Sequence, residues 1–223
     1  MSQLWWYAAR SGGLVAFTLM AASMIWGLAL SGKVRPGKVR PNWILDLHRF
    51  LGGLSVVFVG VHVASIMLDS YTHFGVADVL VPFVSTWKPL AVAWGMVALY
   101  LLLAVELTSL ARKHLPKKWW RRIHGASFPM FLLSSVHLFT AGTDSSQPIV
   151  IWGTVAAWVV VSAMTAWRIY QALQPPAPPR RSLLHHSPTF EGTTERELIG
   201  VFEVAADREP ARQPAHGEPW SVE

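Results

Sequence analysis

Five long apolar runs constrain this chain more than any other feature of its sequence. They lie near residues 11–31, 43–68, 89–111, 119–141 and 149–170. Crossing a bilayer core of about 30 Å takes roughly 20 helical residues, and each run is long enough to do so. Because lipid offers no hydrogen-bond partner to a backbone group, each run is predicted to be a helix. The predicted fold class is all-α, a polytopic membrane bundle of five transmembrane helices.

The composition divides the chain into two parts. Only 14% of the residues are charged, whereas a soluble domain carries about 25%. Residues 1–172 hold the apolar runs, and residues 173–223 are polar and rich in Pro. We therefore expect a membrane domain over 1–172 and a disordered C-terminal tail over 173–223. The tail is too short for a flavin or nicotinamide domain, and no GxGxxG motif follows a predicted strand.

Basic residues collect on one side of the predicted bundle, in the loop after the first run, around the junction of the third and fourth runs, and at and after the end of the fifth run. The positive-inside rule then places the N-terminus outside and the C-terminus in the cytoplasm, in a multi-pass protein of the plasma (inner) membrane. The net charge of +6 follows from this asymmetry, so we expect membrane lipid as a partner and no nucleic acid. The basic residues are Lys33, Arg35, Lys38, Arg40, Arg112, Lys113, Lys117, Lys118, Arg121, Arg122, Arg168, Arg180 and Arg181.

Four histidines lie inside the second and fourth runs, where ionisable side chains are rare and need a reason. His48 and His62 are 14 residues apart, and His124 and His137 are 13 apart, which corresponds to about 20 Å of helix rise in each case. The two runs cross the membrane in the same direction. His48 is therefore expected at the depth of His124, and His62 at the depth of His137.

Two imidazoles on facing helices form a good axial ligand pair for haem iron. The chain has no Cys, which excludes thiolate metal sites, iron–sulfur clusters and covalent haem attachment. Thirteen residues would turn His124 and His137 about 140° apart on a straight helix, unless Pro129 kinks or unwinds it. A hydrogen-bonded core role remains the alternative for each histidine.

Several stretches of the chain resemble the ferric reductase-like transmembrane family, which includes the membrane halves of ferric reductases and NADPH oxidases. They are WWYAARSGGLVAF, DLHRFLGG, LDSYTHFGVADVLVPF, ELTSLARKHL, WWRRIHGASF and HLFTAGTDS. The match is to the bacterial single-domain branch. The resemblance implies two b-type haems, with His48 and His124 binding the cytoplasmic-side haem iron and His62 and His137 the outer one. It also implies a separate electron donor, either a flavoprotein or a quinol, because this chain has no flavin or nicotinamide site.

Three further residues are candidates for weaker roles. Arg10 could pair with a propionate of the outer haem, since Arg binds carboxylates bidentately, or it could extend to the membrane interface. Arg49 could serve the inner haem in the same way, or pair with Asp46 or Glu106. His73, in an outer loop, could ligate an acceptor metal, although an exposed loop residue is the simpler interpretation.

The function expected from these residues is transmembrane electron transfer through two bis-histidine haems, in an oxidoreductase of the ferric reductase type. One alternative is a haem-bearing membrane subunit of a partner flavoprotein reductase, with no acceptor site of its own. A second alternative, from a different class, is a haem-free membrane transporter or anchor whose histidines relay protons or bind another metal.

Overall fold

The computed structural model describes residues 2–32, 41–69 and 74–174, and the regular structure in these ranges is helical throughout. His73, the basic loop between the first two helices and the predicted tail from residue 175 onward lie outside the described residues. The helices are α1 (Ser2–Ser31), α2 (Pro41–Leu68), α3 (Val76–Leu80), α4 (Pro89–Leu110), α5 (Lys117–Gly125), α6 (Ser127–Ala141) and α7 (Pro148–Leu173), with a 3₁₀ turn at Arg112–His114.

Prolines begin three of the long helices. Pro41, Pro89 and Pro148 are the first residues of α2, α4 and α7, and Pro116 immediately precedes α5. The first turn of a helix has backbone N–H groups with no intrahelical partner, so the missing N–H of proline has no cost there. The sequence thereby sets where each of these helices starts.

Four helices are long and apolar enough to cross a membrane, namely α1, α2, α4 and α7. Three of them match the predicted runs closely, since α2, α4 and α7 end within three residues of the predicted limits. Helix α1 begins at Ser2, nine residues before the predicted start, because the mostly aromatic and apolar residues before Arg10 continue the helix toward the N-terminus. The chain is therefore a multi-pass membrane protein.

The fourth predicted run is not one helix. It is divided at Ala126 into α5, of 9 residues, and α6, of 15 residues, so the fifth transmembrane helix stays a prediction. Pro129 causes the division, because it has no N–H to give to the carbonyl of Gly125 and its ring crowds that carbonyl. The helix restarts with Pro129 in the first turn of α6, and the N–H of Met130 bonds to the carbonyl of Ala126 at 3.0 Å.

A band of apolar side chains joins α1, α4, α6 and α7 in the interior of the bundle. Phe131 is fully buried, with its ring stacked on Phe17 at a centroid distance of 5.4 Å and against Trp158 at 4.9 Å. The indole N–H of Trp158 donates to the hydroxyl of Ser135 at 3.0 Å. Buried neighbours in the same cluster are Met20, Ala21, Met24, Leu102, Met130 and Val161.

The outward faces of the helices are also apolar. Phe50 and Val57 on α2 are 63% and 58% exposed, and Trp152 and Val159 on α7 are 70% and 62% exposed. A soluble protein rarely leaves so many large apolar side chains uncovered. These faces suit contact with lipid chains.

Replacing Phe131 with Ala is expected to destabilise the bundle by about 3 kcal/mol, because it leaves a cavity between Phe17 and Trp158. Thermal unfolding of the detergent-purified protein, followed by circular dichroism, measures the loss. Phe50→Ala is the matched control, since the side chain of Phe50 faces outward. Equal falls in melting temperature for the two variants would contradict the assignment of Phe131 to the core.

Candidate functional site

The four membrane histidines face one another in two pairs. The ring centroids of His48 and His124 are 6.0 Å apart with their planes at 77°. Those of His62 and His137 are 6.2 Å apart with their planes at 81°. All four side chains are half-buried. The structure thus brings together the pairs expected from the matched depths.

The spacing within each pair suits one metal atom between two rings. With a metal–nitrogen distance of about 2.0 Å, and about 1.2 Å from a ring nitrogen to the ring centre, two imidazoles on opposite sides of one metal have centroids about 6.4 Å apart. The observed values of 6.0 and 6.2 Å are close to this.

Three of the histidines use Nδ1 for a hydrogen bond to the neighbouring helix, and the acceptor is a backbone carbonyl. Because a carbonyl can only accept, Nδ1 must carry the proton, and Nε2 then holds a lone pair. A hydrogen bond from the ring nitrogen that does not bind the metal orients the imidazole and raises its basicity. The bonds are His48 to Ser23 (2.8 Å), His62 to Ala9 (2.6 Å) and His137 to Ala91 (2.8 Å).

A glycine one turn after each accepting carbonyl makes these bonds possible. Side chains on a helix tilt toward its N-terminus, so a side chain at position i+4 covers the carbonyl of residue i. Gly13, Gly27 and Gly95 stand four residues after Ala9, Ser23 and Ala91. A Cβ on them would lie 3.0 Å from Nδ1 of His62, 3.0 Å from Cε1 of His48 and 2.6 Å from Nδ1 of His137, respectively.

His124 has a different environment from the other three. Its Nδ1 lies 3.3 Å from the hydroxyl oxygen of Ser109, which occupies on α4 the place that a glycine has elsewhere. The ring of Trp120 stacks on the imidazole at 5.0 Å and 23°. The guanidinium of Arg112 lies over the same indole, 4.4 Å from its centroid. The division at Ala126 also accommodates the 13-residue spacing, because it interrupts the helical phase between His124 and His137.

A cavity of about 230 Å³ adjoins the second pair and has both His62 and His137 in its wall. Most of its lining is apolar and includes Gly13, Phe17 and Gly95. Polar and aromatic side chains also line it, and they include three carboxylates and one guanidinium. These are Trp6, Arg10, Asp69, Phe74, Asp78, Trp87 and Asp144.

Arg10 forms an ion pair with Asp144 across the wall of this cavity. Its Nε donates to Oδ2 of Asp144 at 2.9 Å, and its Nη2 donates to Oδ1. The pair joins α1 to the loop between α6 and α7, and the two side chains are 34% and 18% exposed. Bidentate guanidinium–carboxylate pairs are among the stronger polar contacts. Sequence reasoning placed Arg10 near this site but did not identify Asp144 as its partner.

Arg49 lies beside the first pair in sequence but turns outward. Its Nη1 is 3.9 Å from Oδ1 of Asp46, and both side chains are more than half exposed. Of the two ion-pair partners expected for Arg49, the structure places Asp46 near it. Glu106 instead lies against Gly52, where it fills the space that a side chain at Gly52 would need.

The glycines that matter lie on the helices opposite the histidines. A Cβ at Gly53, Gly60 or Gly125, which lie on the histidine helices themselves, would meet no protein atom within 4 Å. One feature of the sequence does indicate the supporting glycines. Gly13 and Gly27 on α1 are 14 residues apart, which is also the separation of His48 and His62 on the antiparallel helix α2.

Within the described ranges, no group of three or more His, Asp or Glu side chains converges as a site for a bare metal ion. The remaining described histidine, His114, lies in the exposed 3₁₀ turn. A protein site of two imidazoles supplies too few ligands for a structural ion, which normally takes four or more. Two axial ligands suit a metal whose other ligands come from a cofactor.

Comparison with known proteins gives one finding. The family model described as "Ferric reductase like transmembrane component" matches residues 12–135, more than half of the chain. This range includes His48, His62 and His124, and it ends two residues before His137. No curated protein and no solved structure shows significant similarity to the chain.

The ion pair between Arg10 and Asp144 is expected to stabilise the fold by roughly 1 kcal/mol, because it is bidentate but partly exposed to solvent. A double-mutant cycle with Arg10→Gln and Asp144→Asn, read by thermal unfolding in detergent, measures the coupling. The same cycle on Arg49 and Asp46 should give a coupling near zero. A coupling for Arg10 and Asp144 no larger than that control would mean that the contact contributes nothing to stability.

Proposed function

The chain belongs to the ferric reductase-like transmembrane family, and we propose from this premise that it carries electrons across the membrane on two haem groups. His48 and His124 would hold one haem, and His62 and His137 the other. The observation that carries the proposal is the facing of four imidazoles in two pairs, with ring centroids 6.0 and 6.2 Å apart.

The donor set supports haem over a bare ion. A porphyrin supplies four equatorial nitrogens, so two axial imidazoles complete the coordination of its iron. The carbonyl bonds at Nδ1 of His48, His62 and His137 leave Nε2 of each ring as the free ligand. Glycines opposite these rings let them lie close to the neighbouring helix, and the cavity beside His62 and His137 is mostly apolar.

A bound haem supplies one iron that accepts a single electron as Fe(III) and releases it as Fe(II). The chain's own part is to orient the ligands, to separate the two sites by about 20 Å along the bundle and to keep water away. Phe17, Phe131 and Leu102 belong to the buried cluster, and in sequence they fall between the positions that face the two histidine pairs. This cluster would form the dry layer between the sites.

The proposed direction of electron flow is from the cytoplasm outward. The positive-inside rule supports an orientation with the His48–His124 pair toward the cytoplasm and the His62–His137 pair toward the outside. A separate flavoprotein or a membrane quinol would give electrons at the cytoplasmic end. Ferric iron is the acceptor that we propose at the outer end, where Asp69, Asp78 and Asp144 line the cavity.

The two arginines support this assignment unequally. Arg10 lines the cavity next to His62 and His137, where it could contact a haem propionate while Asp144 holds its guanidinium. Arg49 is exposed and close to Asp46. Its contact with the inner haem stays a prediction, and it would require the side chain to swing inward from this position.

The first test is the optical spectrum of the purified protein with a pyridine haemochrome assay. We expect a Soret band, a sharp reduced α band and about two haems per chain. His→Ala at position 48, 62, 124 or 137 should remove one haem each, because a site with one imidazole lacks an axial ligand. His114→Ala, in the exposed 3₁₀ turn, is the matched control and should keep both haems.

A colourless, iron-free protein would contradict the proposal and favour a haem-free transporter or anchor. Reduction of ferric chelates by the isolated protein, pre-reduced with dithionite, separates the two haem-dependent functions. Rapid reoxidation of the α band by the chelate supports an acceptor site in this chain. Reoxidation only in the presence of a partner reductase would mean that the chain is an electron-carrying subunit.

Gly95→Ala is expected to weaken haem binding at the His62–His137 site by roughly 10- to 100-fold, because the new Cβ displaces the ring of His137 from its carbonyl partner. Haem transfer to apomyoglobin measures the loss. Gly60→Ala, where a Cβ meets nothing within 4 Å, is the control and should lose haem at the wild-type rate. Equal rates in both variants would show that close approach at Gly95 is not needed.

A further inference from the structure

We propose that Ser109 makes the two haem sites unequal, so that the His48–His124 site has the higher midpoint potential. Ser109 acts as a positioning residue through His124. The proposal rests on the proposed function, since it concerns haem held by the two histidine pairs. It goes further by assigning a role to a residue that is neither a ligand nor part of the ligand pattern.

The first supporting observation is the difference in hydrogen bonding at Nδ1. His62 and His137 donate to carbonyl oxygens at 2.6 and 2.8 Å, so both ligands of their site are supported in the same way. In the other site, His48 has a carbonyl at 2.8 Å, but His124 has only the hydroxyl of Ser109 at 3.3 Å. A longer bond to a weaker acceptor makes His124 the least basic of the four ligands.

The second observation concerns the tautomer. A carbonyl forces the proton onto Nδ1, whereas a hydroxyl can donate or accept. Ser109 therefore supports the ligating form of His124 without enforcing it. The Cβ of Ser109 also covers the carbonyl of Val105, four residues earlier. Without that Cβ, His124 could reach this carbonyl as His137 reaches that of Ala91, in competition with the hydroxyl of Thr108 at 3.2 Å.

The third observation is charge. The indole of Trp120 stacks on His124 and carries the guanidinium of Arg112 on its ring, so this end of the bundle has a cation beside the ligand as well as the carboxylate of Glu106 against Gly52. The His62–His137 cavity instead has the carboxylates of Asp69, Asp78 and Asp144 in its wall, with Arg10 as the cation. Positive charge favours the reduced, less positive iron, and a strongly basic ligand favours the oxidised iron. The weaker hydrogen bond at His124 and the charge near it therefore act in the same direction.

The test is spectroelectrochemical titration of the α band. Each site is measured alone, in a background in which the two histidines of the other site are Ala. We expect the His48–His124 site to have the higher midpoint potential. In that background, Ser109→Ala removes the acceptor but keeps a Cβ over the carbonyl of Val105, so the potential should rise. Ser109→Gly uncovers the carbonyl, so the potential should fall toward that of the other site.

Two controls separate this role from a structural one. Ser109→Thr keeps the hydroxyl and should keep the wild-type potential. Ser23→Ala removes a hydroxyl that lies 3.1 Å from Nδ1 of His48, but it leaves the carbonyl of Ser23 in place, so it should change the potential little.

Other results would overturn it. A lower potential at the His48–His124 site, or changes in Ser109→Ala and Ser109→Gly no larger than in Ser23→Ala, would show that Ser109 does not set the difference. These results would leave the proposed function intact, since both sites would still bind haem. A protein without haem would instead contradict the proposed function itself.

Discussion

The hydrogen bond from Nδ1 of a histidine to a carbonyl on the adjacent helix is the interaction on which the rest of this structure depends. It occurs three times, at His48, His62 and His137, and each time it fixes both the direction of the ring and the position of its proton. The bond requires a backbone carbonyl that is open to the side of its helix. A side chain one turn later would cover that carbonyl, so the residue four positions on must be glycine. The glycines of α1 and α4 are thus as much a part of the site as the histidines.

This interaction also explains how two helical hairpins together form the two histidine pairs. Helix α1 supports the two histidines of α2, and α4 supports those of α5 and α6, with supporting positions 14 residues apart in both cases. Each site then takes one histidine from each hairpin. In the second hairpin the histidines are only 13 positions apart, and the interruption at Ala126 removes the phase conflict that a straight helix would create. The broken helix is therefore a condition of the pairing.

Much of this could be predicted from the sequence, and the failures have physical causes. Hydropathy and the prolines located α2, α4 and α7, and the matched depths of His48, His62, His124 and His137 predicted the correct pairs. The partner of Arg10 could not be predicted, because Asp144 is distant in sequence and lies in a loop, where no periodic pattern indicates which residue it contacts. The supporting glycines, Gly13, Gly27 and Gly95, were not predicted, because the sequence pattern identifies the helices that carry the histidines and not the helix that each ring contacts.

The inequality of the two sites bears on what drives electron flow. With the higher potential at the His48–His124 site, an electron that moves from the basic to the acidic end of the bundle goes to a site of lower potential. In the orientation proposed above, the same step carries negative charge from a negative interior to a positive exterior, which a membrane potential favours by about 2.3 kcal/mol per 100 mV for a full crossing. The step between the sites covers only part of the bilayer and gains a part of that energy. An energised membrane would therefore offset the inequality that Ser109, Arg112 and the three carboxylates create.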